Sequence, residues 1–76
     1  MRVWIMAAEH PTVPGQRFKV HATREGAVES AIKSIAMMPG KPKATPETWE
    51  KIVERLEDEY GARYCYVDIT EHEVLP

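Results

Sequence analysis

The side chains that could act as nucleophiles or soft metal ligands are few, namely Cys65, His10, His21 and His72. No two of them have the close spacing of a zinc site. A nucleophilic Cys65 needs a neighbouring histidine or a helix N-terminus, whereas strand alternation places this residue in the core. There is no glycine-rich phosphate loop and no Gly-x-Ser-x-Gly elbow. The sequence therefore predicts a protein that is not an enzyme and uses no metal or cofactor.

Charge is sorted along the chain. Residues 1–43 hold seven Lys/Arg and three Asp/Glu, a net charge of +4, whereas residues 44–76 hold three Lys/Arg and nine Asp/Glu, a net charge of −6. The overall charge of −2 hides this asymmetry. Since electric fields steer association and do not determine folds, the pattern points to a binding partner.

The acidic residues concentrate on the second of two predicted helices, which is expected to begin at Thr45 and Pro46. Such a surface could bind the basic groove of a partner that normally accepts nucleic acid. The alternative is a solvated face that keeps a small domain soluble. The candidate partner-binding residues are Glu47, Glu50, Glu54, Glu57 and Asp58.

A second candidate surface is the sheet face predicted to point away from the helices. Aromatic residues and Met beside Arg are enriched in interfaces, so this face could bind a partner or form a homodimer. Alternatively, residues 9–16 or the C-terminal tail cover it. A third interpretation is a stacking platform for single-stranded nucleic acid, against which the acidic half argues. The residues assigned to this face are Trp4, Met6, Arg17, Lys19, Tyr64 and Tyr66.

The elements that must position these residues follow from hydrophobic spacing. Residues 3–8 are apolar on both parities and residues 17–22 alternate, which predicts a hairpin with a long loop. Two amphipathic helices and a last strand over residues 62–74 follow. The chain is predicted to be one α+β domain over residues 1–76, with element order β-β-α-α-β and both helices on one face of a three-stranded sheet.

Strand order and strand faces are less determined. Order 2-1-3 is favoured, with the first and last strands parallel, because the first strand is apolar on both faces; order 1-2-3, all antiparallel, stays open. The helices are expected to cover Val3, Ile5, Phe18, Val20, Cys65, Val67 and Ile69. The N-terminal apolar run is too short for a signal peptide or a membrane span. The single cysteine fits a reducing cytoplasm.

The segment Gly15-Gln16-Arg17-Phe18-Lys19-Val20-His21-Ala22, after a first strand and before an Ala-rich helix, resembles the N-terminal half of some small anti-CRISPR proteins that act on type I systems. The resemblance covers residues 3–36. It implies a phage- or mobile-element-encoded inhibitor that binds a guide-RNA surveillance complex or its nuclease in the host cytoplasm. Such complexes hold nucleic acid in positively charged channels, which an acidic face could occupy.

Overall fold

A computed structural model describes residues 1–75, except the side chains of Val13 and Pro14. The elements are β1 (Arg2–His10), β2 (Val13–His21), α1 (Arg24–Ile35), α2 (Trp49–Tyr60) and β3 (Tyr66–Glu73). The strands form one sheet in the order β2-β1-β3. The predicted α+β class, the β-β-α-α-β order and the 2-1-3 strand order are confirmed.

Both strand pairs are antiparallel, so the predicted parallel pairing of the first and last strands is wrong. The connector between the helices explains the direction of β3. It runs back along the domain from Met38, which touches Cys65 near the start of β3, to Pro46, which lies beside Arg24 at the start of α1. Since this extended segment makes the return crossing, α2 runs in the same direction as α1. The chain then enters β3 beside the C-terminal end of β1, so the two strands run antiparallel.

Several local signals act as predicted. The Thr23 hydroxyl accepts a hydrogen bond from the Gly26 backbone N–H at 3.1 Å and caps α1. Gly61, with φ 89°, ends α2, and its N–H donates to the Glu57 carbonyl. Two boundaries differ from the prediction. Helix α2 begins at Trp49, after a turn at residues 46–48, and the hairpin turn is only two residues long, at residues 11–12.

The core lies between the helices and one face of the sheet. On β1 the buried residues are Met6, Ala8 and His10, which alternate with half-buried neighbours. Ala8 is fully buried, and its small side chain permits close approach of the helix layer. The helices contribute the buried side chains of Val28, Ala31, Ile35, Met38, Trp49, Val53 and Leu56, and the last part of the chain adds Cys65 and Val67.

The predicted faces of β1 and β2 are therefore wrong, whereas that of β3 is correct. Directly paired residues share a face of an antiparallel sheet. Met6 pairs with Lys19 and Ala8 with Arg17, so both cations lie on the helix side. Phe18 and Val20 face away from the helices and are 60% and 64% exposed. On this open face they join Val3, Ile5 and Ala7, which are half-buried residues of β1.

Candidate functional site: an acidic groove with two tryptophans

A groove between α2 and β3, here called the acidic groove, is lined by residues of every helix and strand except β2. Its wider part has a volume of about 300 Å³. Four carboxylates and one guanidinium line the whole groove. Asp68 borders it from the edge strand β3, but it pairs with Ala7, so its carboxylate lies on the open face. The lining residues of the wider part are Trp4, Arg24, Trp49, Glu50, Asp68, Ile69 and Glu71.

The groove continues along α2 into a narrower part of about 180 Å³. Residues of α2 and β3 line it, and no Lys or Arg is among them. The lining residues here are Trp49, Glu50, Val53, Glu54, Glu57, Val67 and Asp68. The narrower part is thus open to a cation along its length, and the positive charges lie at the wider end, where Arg24 lines the groove and Arg2 pairs with Glu71.

The helical repeat explains why carboxylates edge this groove. Trp49, Val53 and Leu56 form the buried stripe of α2. Glu50 follows Trp49, and Glu54 follows Val53, so both lie on the neighbouring face about 100° around the helix. The aromatic floor and the acidic rim therefore come from the same short segment.

Two polar groups of the groove differ in whether they have a partner within the protein. An Arg2 Nη1 atom donates to the Glu71 Oε1 atom at 2.5 Å, so Glu71 has an ion-pair partner. The indole of Trp49 is only 6% exposed, and its Nε1 donor finds no acceptor within residues 1–75. A buried donor without a partner costs free energy. Trp49 therefore keeps a buried hydrogen-bond donor that no described residue satisfies.

The structure gathers part of the acidic set predicted from sequence. Glu50, Glu54 and Glu57 line the groove, whereas Glu47 precedes α2 and Asp58 is exposed elsewhere on the helix. Glu71, which pairs with Trp4 on the helix side, joins them from β3, whereas the Asp68 side chain points to the open face. Sequence reasoning placed Glu71 only in the acidic half of the chain, because its approach to α2 depends on how the helix packs.

The predicted sheet-face set does not form one surface, so that prediction is wrong. Trp4 lines the acidic groove, and Met6 is buried in the core at 2% exposure. Arg17 and Lys19 lie on the helix side of β2. Tyr64 is an exposed residue of the turn before β3. The Tyr66 hydroxyl lies on the open face, where it accepts a hydrogen bond from the Gln16 side-chain amide at 2.6 Å. A stacking platform built from this set loses its geometric basis.

Cys65 and His72, two of the groups considered for catalysis, each contact a neighbouring side chain of the fold. Cys65 is 1% exposed, and its Sγ lies 3.8 Å from the Met38 Sδ. Burial, and then the charge of Glu57, raise the pKa of the Cys65 thiol. His72 instead shares a hydrogen bond with the Thr70 hydroxyl at 2.8 Å. Within residues 1–75, no group of three or more His, Cys, Asp or Glu side chains is arranged to hold a metal ion.

Neither helix of the described chain is both long and apolar enough to cross a bilayer. Comparison with known proteins adds no further constraint: no protein family, curated protein or solved structure matches this chain.

Proposed function

We propose that this protein is a small non-enzymatic binding protein whose acidic groove receives Arg or Lys side chains of a partner. The observation that carries the proposal is the convergence of two tryptophans and several carboxylates in one groove. Carboxylates bind guanidinium and ammonium groups through charge-assisted hydrogen bonds. Indole faces attract the same cations. A groove with both features has the chemistry of a receptor for basic side chains.

Magnitudes indicate that such binding needs several contacts. An exposed ion pair contributes only about 0–1 kcal/mol. Three such pairs, at about 0.2–1 kcal/mol each when measurable, together contribute about 0.6–3 kcal/mol, which corresponds to about 3- to 150-fold in affinity. The groove supplies Glu50, Glu54 and Glu57 in a row along α2, so its binding is expected to be cumulative and to weaken as salt rises.

The end of α2 supports a role for its charges beyond solubility. Glu57, Asp58 and Glu59 lie in the last turn, which contains no basic residue. Negative charge at a helix C-terminus is unfavourable by about 0.3–1 kcal/mol per group. A helix whose only task was to be soluble would be more stable with Lys at these positions. Recognition of a basic partner gives the acidic residues a use that offsets this cost.

The resemblance of residues 3–36 to anti-CRISPR proteins suggests the partner. We propose that the partner is a type I surveillance complex or its nuclease, and that the acidic groove occupies a basic channel that otherwise binds nucleic acid. Carboxylates held in a row compete with phosphates for the same Lys and Arg side chains. The protein then acts as a stoichiometric inhibitor in the host cytoplasm.

The direct test mixes the protein with purified type I effector complexes and measures target-DNA binding. The test variant carries Glu50→Gln, Glu54→Gln and Glu57→Gln. The matched control removes three exposed carboxylates elsewhere, through Glu25→Gln, Glu29→Gln and Glu73→Gln. We expect the groove variant to inhibit about 3- to 150-fold more weakly and the control to stay within about two-fold. Equal losses in both variants would refute a specific role for the groove.

A second assay tests whether the groove binds basic side chains, independently of the partner's identity. The chain has two tryptophans, and both line the groove, so intrinsic fluorescence reports its occupancy. Titration with a nona-arginine peptide is expected to change the emission saturably and in a salt-dependent manner. If the peptide binds but no effector complex is inhibited, the groove proposal stands and the anti-CRISPR proposal falls. If the peptide leaves emission unchanged, the groove proposal itself is wrong.

The open sheet face supports a second candidate function, which is self-association with another copy. Phe18 and Val20 are more than half exposed there. Three strands about 4.8 Å apart and about 26 Å long present roughly 370 Å². Two such faces bury about 750 Å², less than the roughly 1,200 Å² of a stable interface. A homodimer through this face is therefore expected to be weak.

Sedimentation velocity over a hundred-fold concentration range tests this dimer. The expected result is a monomer at low micromolar concentration and partial dimer formation near millimolar concentration, abolished by Phe18→Ser. Tyr64→Ser, an exposed aromatic outside the face, is the control. A monomer at every concentration, or a dimer that survives Phe18→Ser, would exclude the open face as the interface.

A further inference from the structure

A second groove, between β2 and α1 and here called the basic groove, has the opposite charge. It shares no residue with the acidic groove. Its inner pocket measures about 110 Å³ and opens into an outer part of about 220 Å³. The inner pocket is lined by Met6, His10, Arg17, Lys19, Ser30, Lys33, Ser34 and Met37, and the outer part by Lys19, His21, Gly26, Glu29, Ser30 and Lys33.

The floor of the inner pocket is polar and buried. His10, Ser30 and Ser34 are 5%, 8% and 8% exposed. The His10 Nε2 atom and the Ser34 Oγ atom share a hydrogen bond at 2.9 Å. Ser30 and Ser34 are one helical turn apart, so their hydroxyls lie on the same face of α1. Hydroxyls held in place by packing are preorganised to donate to a ligand oxygen.

Three cations surround this floor. Arg17 and Lys19 extend from alternate positions of β2 on its helix side, and Lys33 extends from α1 opposite them. The one carboxylate of the groove, Glu29, lies 3.8 Å from the Lys33 Nζ atom in an exposed pair. Burial, and then the positive charge of Arg17, lower the pKa of His10. The free groove thus holds an excess of positive charge around neutral polar groups.

We propose that the basic groove is a binding site for the terminal phosphoryl group of a small phosphate monoester. Arg17 provides a planar fork for two phosphate oxygens, and the lysines neutralise the second negative charge. Met6 and His10 close the floor, so the ligand enters only from the solvent side. A terminal phosphoryl group fits a pocket that is closed at one end. A phosphodiester continues on both sides of the phosphate and needs a groove that is open at both ends. The outer part then accommodates the ester group.

The test uses two-dimensional amide NMR of the whole protein at constant ionic strength. The probes are inorganic phosphate, methyl phosphate and dimethyl phosphate, which differ in charge and in the number of ester groups. We expect saturable shifts at the Ser30, Lys33 and Ser34 amides with the first two probes. Dimethyl phosphate, with one negative charge and no terminal phosphoryl group, is expected to bind about ten-fold more weakly, as for the loss of one charge-assisted hydrogen bond.

Substitutions assign the binding to the groove. Arg17→Gln is expected to weaken methyl phosphate about ten-fold, while Lys43→Gln, an exposed charge in the connector, leaves it within two-fold. Unchanged urea midpoints show that both variants are folded. The expected Kd for methyl phosphate is about 1 mM, and a Kd weaker than about 20 mM would overturn the proposal. It is equally overturned by binding of dimethyl phosphate as tight as that of methyl phosphate, or by equal losses in the two variants.

Discussion

Threonine in place of valine at two sheet positions tests which face of the sheet is buried. Val67 on β3 and Val20 on β2 both lie on edge strands, and both pair with β1. Val67 is 6% exposed and Val20 is 64% exposed. Valine and threonine are nearly equal in shape and both favour strands. The comparison therefore isolates the cost of placing a hydroxyl at each position.

The expected magnitudes differ clearly. At Val67 the hydroxyl enters the apolar core and lacks a partner, which costs about 1–3 kcal/mol. At Val20 the hydroxyl meets water, and a surface change of this kind stays within about 0.5 kcal/mol. A domain of this size has a free energy of unfolding of about 4–11 kcal/mol. The Val67→Thr variant is therefore weakened but folded.

Urea denaturation followed by circular dichroism provides the measurement. With a slope of about 1 kcal/mol per molar urea for a small protein, Val67→Thr is expected to lower the midpoint by about 1–3 M. Val20→Thr is expected to move it by less than about 0.5 M at low micromolar protein. Equal shifts in the two variants would refute the assignment of Val20 to the open face. An effect at Val20 that grows with protein concentration would identify the open face as a dimer interface.

Three further outcomes follow from single residues. Because the pKa of His10 is lowered in the folded state, the unfolded state binds the proton more readily. Stability is therefore expected to decrease as the pH falls below about 6.5, and urea titrations should show a smaller decrease in His10→Gln. The buried Cys65 thiol, whose pKa is raised, is expected to react with a disulfide reagent only through unfolding, so its labelling rate should rise with urea in parallel with the unfolded fraction. Gly61→Ala, at φ 89°, is expected to lower the free energy of unfolding by about 1 kcal/mol in the same urea assay, whereas no change would show that the helix end relaxes to another conformation.

Sequence reasoning succeeded where the signal is local. The Thr23 cap and the Gly61 terminator depend on a few neighbouring residues, and both act as expected. The heptad-like stripe of α2 likewise identifies its buried side. Since hydrogen-bonding capacity and backbone freedom belong to individual residue types, such features can be read from the chain directly.

The two strand faces show where local patterns are insufficient. Residues 3–8 are apolar on both parities, so alternation could not orient β1. The clear alternation of β2 then pointed to burial of Phe18 and Val20, which the structure exposes. Hairpin register links the faces of the two strands. The packing of Ala8 beneath the helix layer and the hydrogen bond between His10 and Ser34 stabilise the arrangement in which this face of β1 meets the helices. These contacts join residues far apart in sequence.

The chain by itself determined the number and type of elements and the separation of positive and negative halves, and it favoured, without deciding, the strand order that the structure has. Only the tertiary structure decided that the negative half forms a groove with Trp4 and Trp49, and that the positive half forms another around His10 and Ser34. The physical reason is that charge and periodicity are properties of a segment. A groove is a property of the distance between segments, which depends on how the connector carries α2 back across the domain.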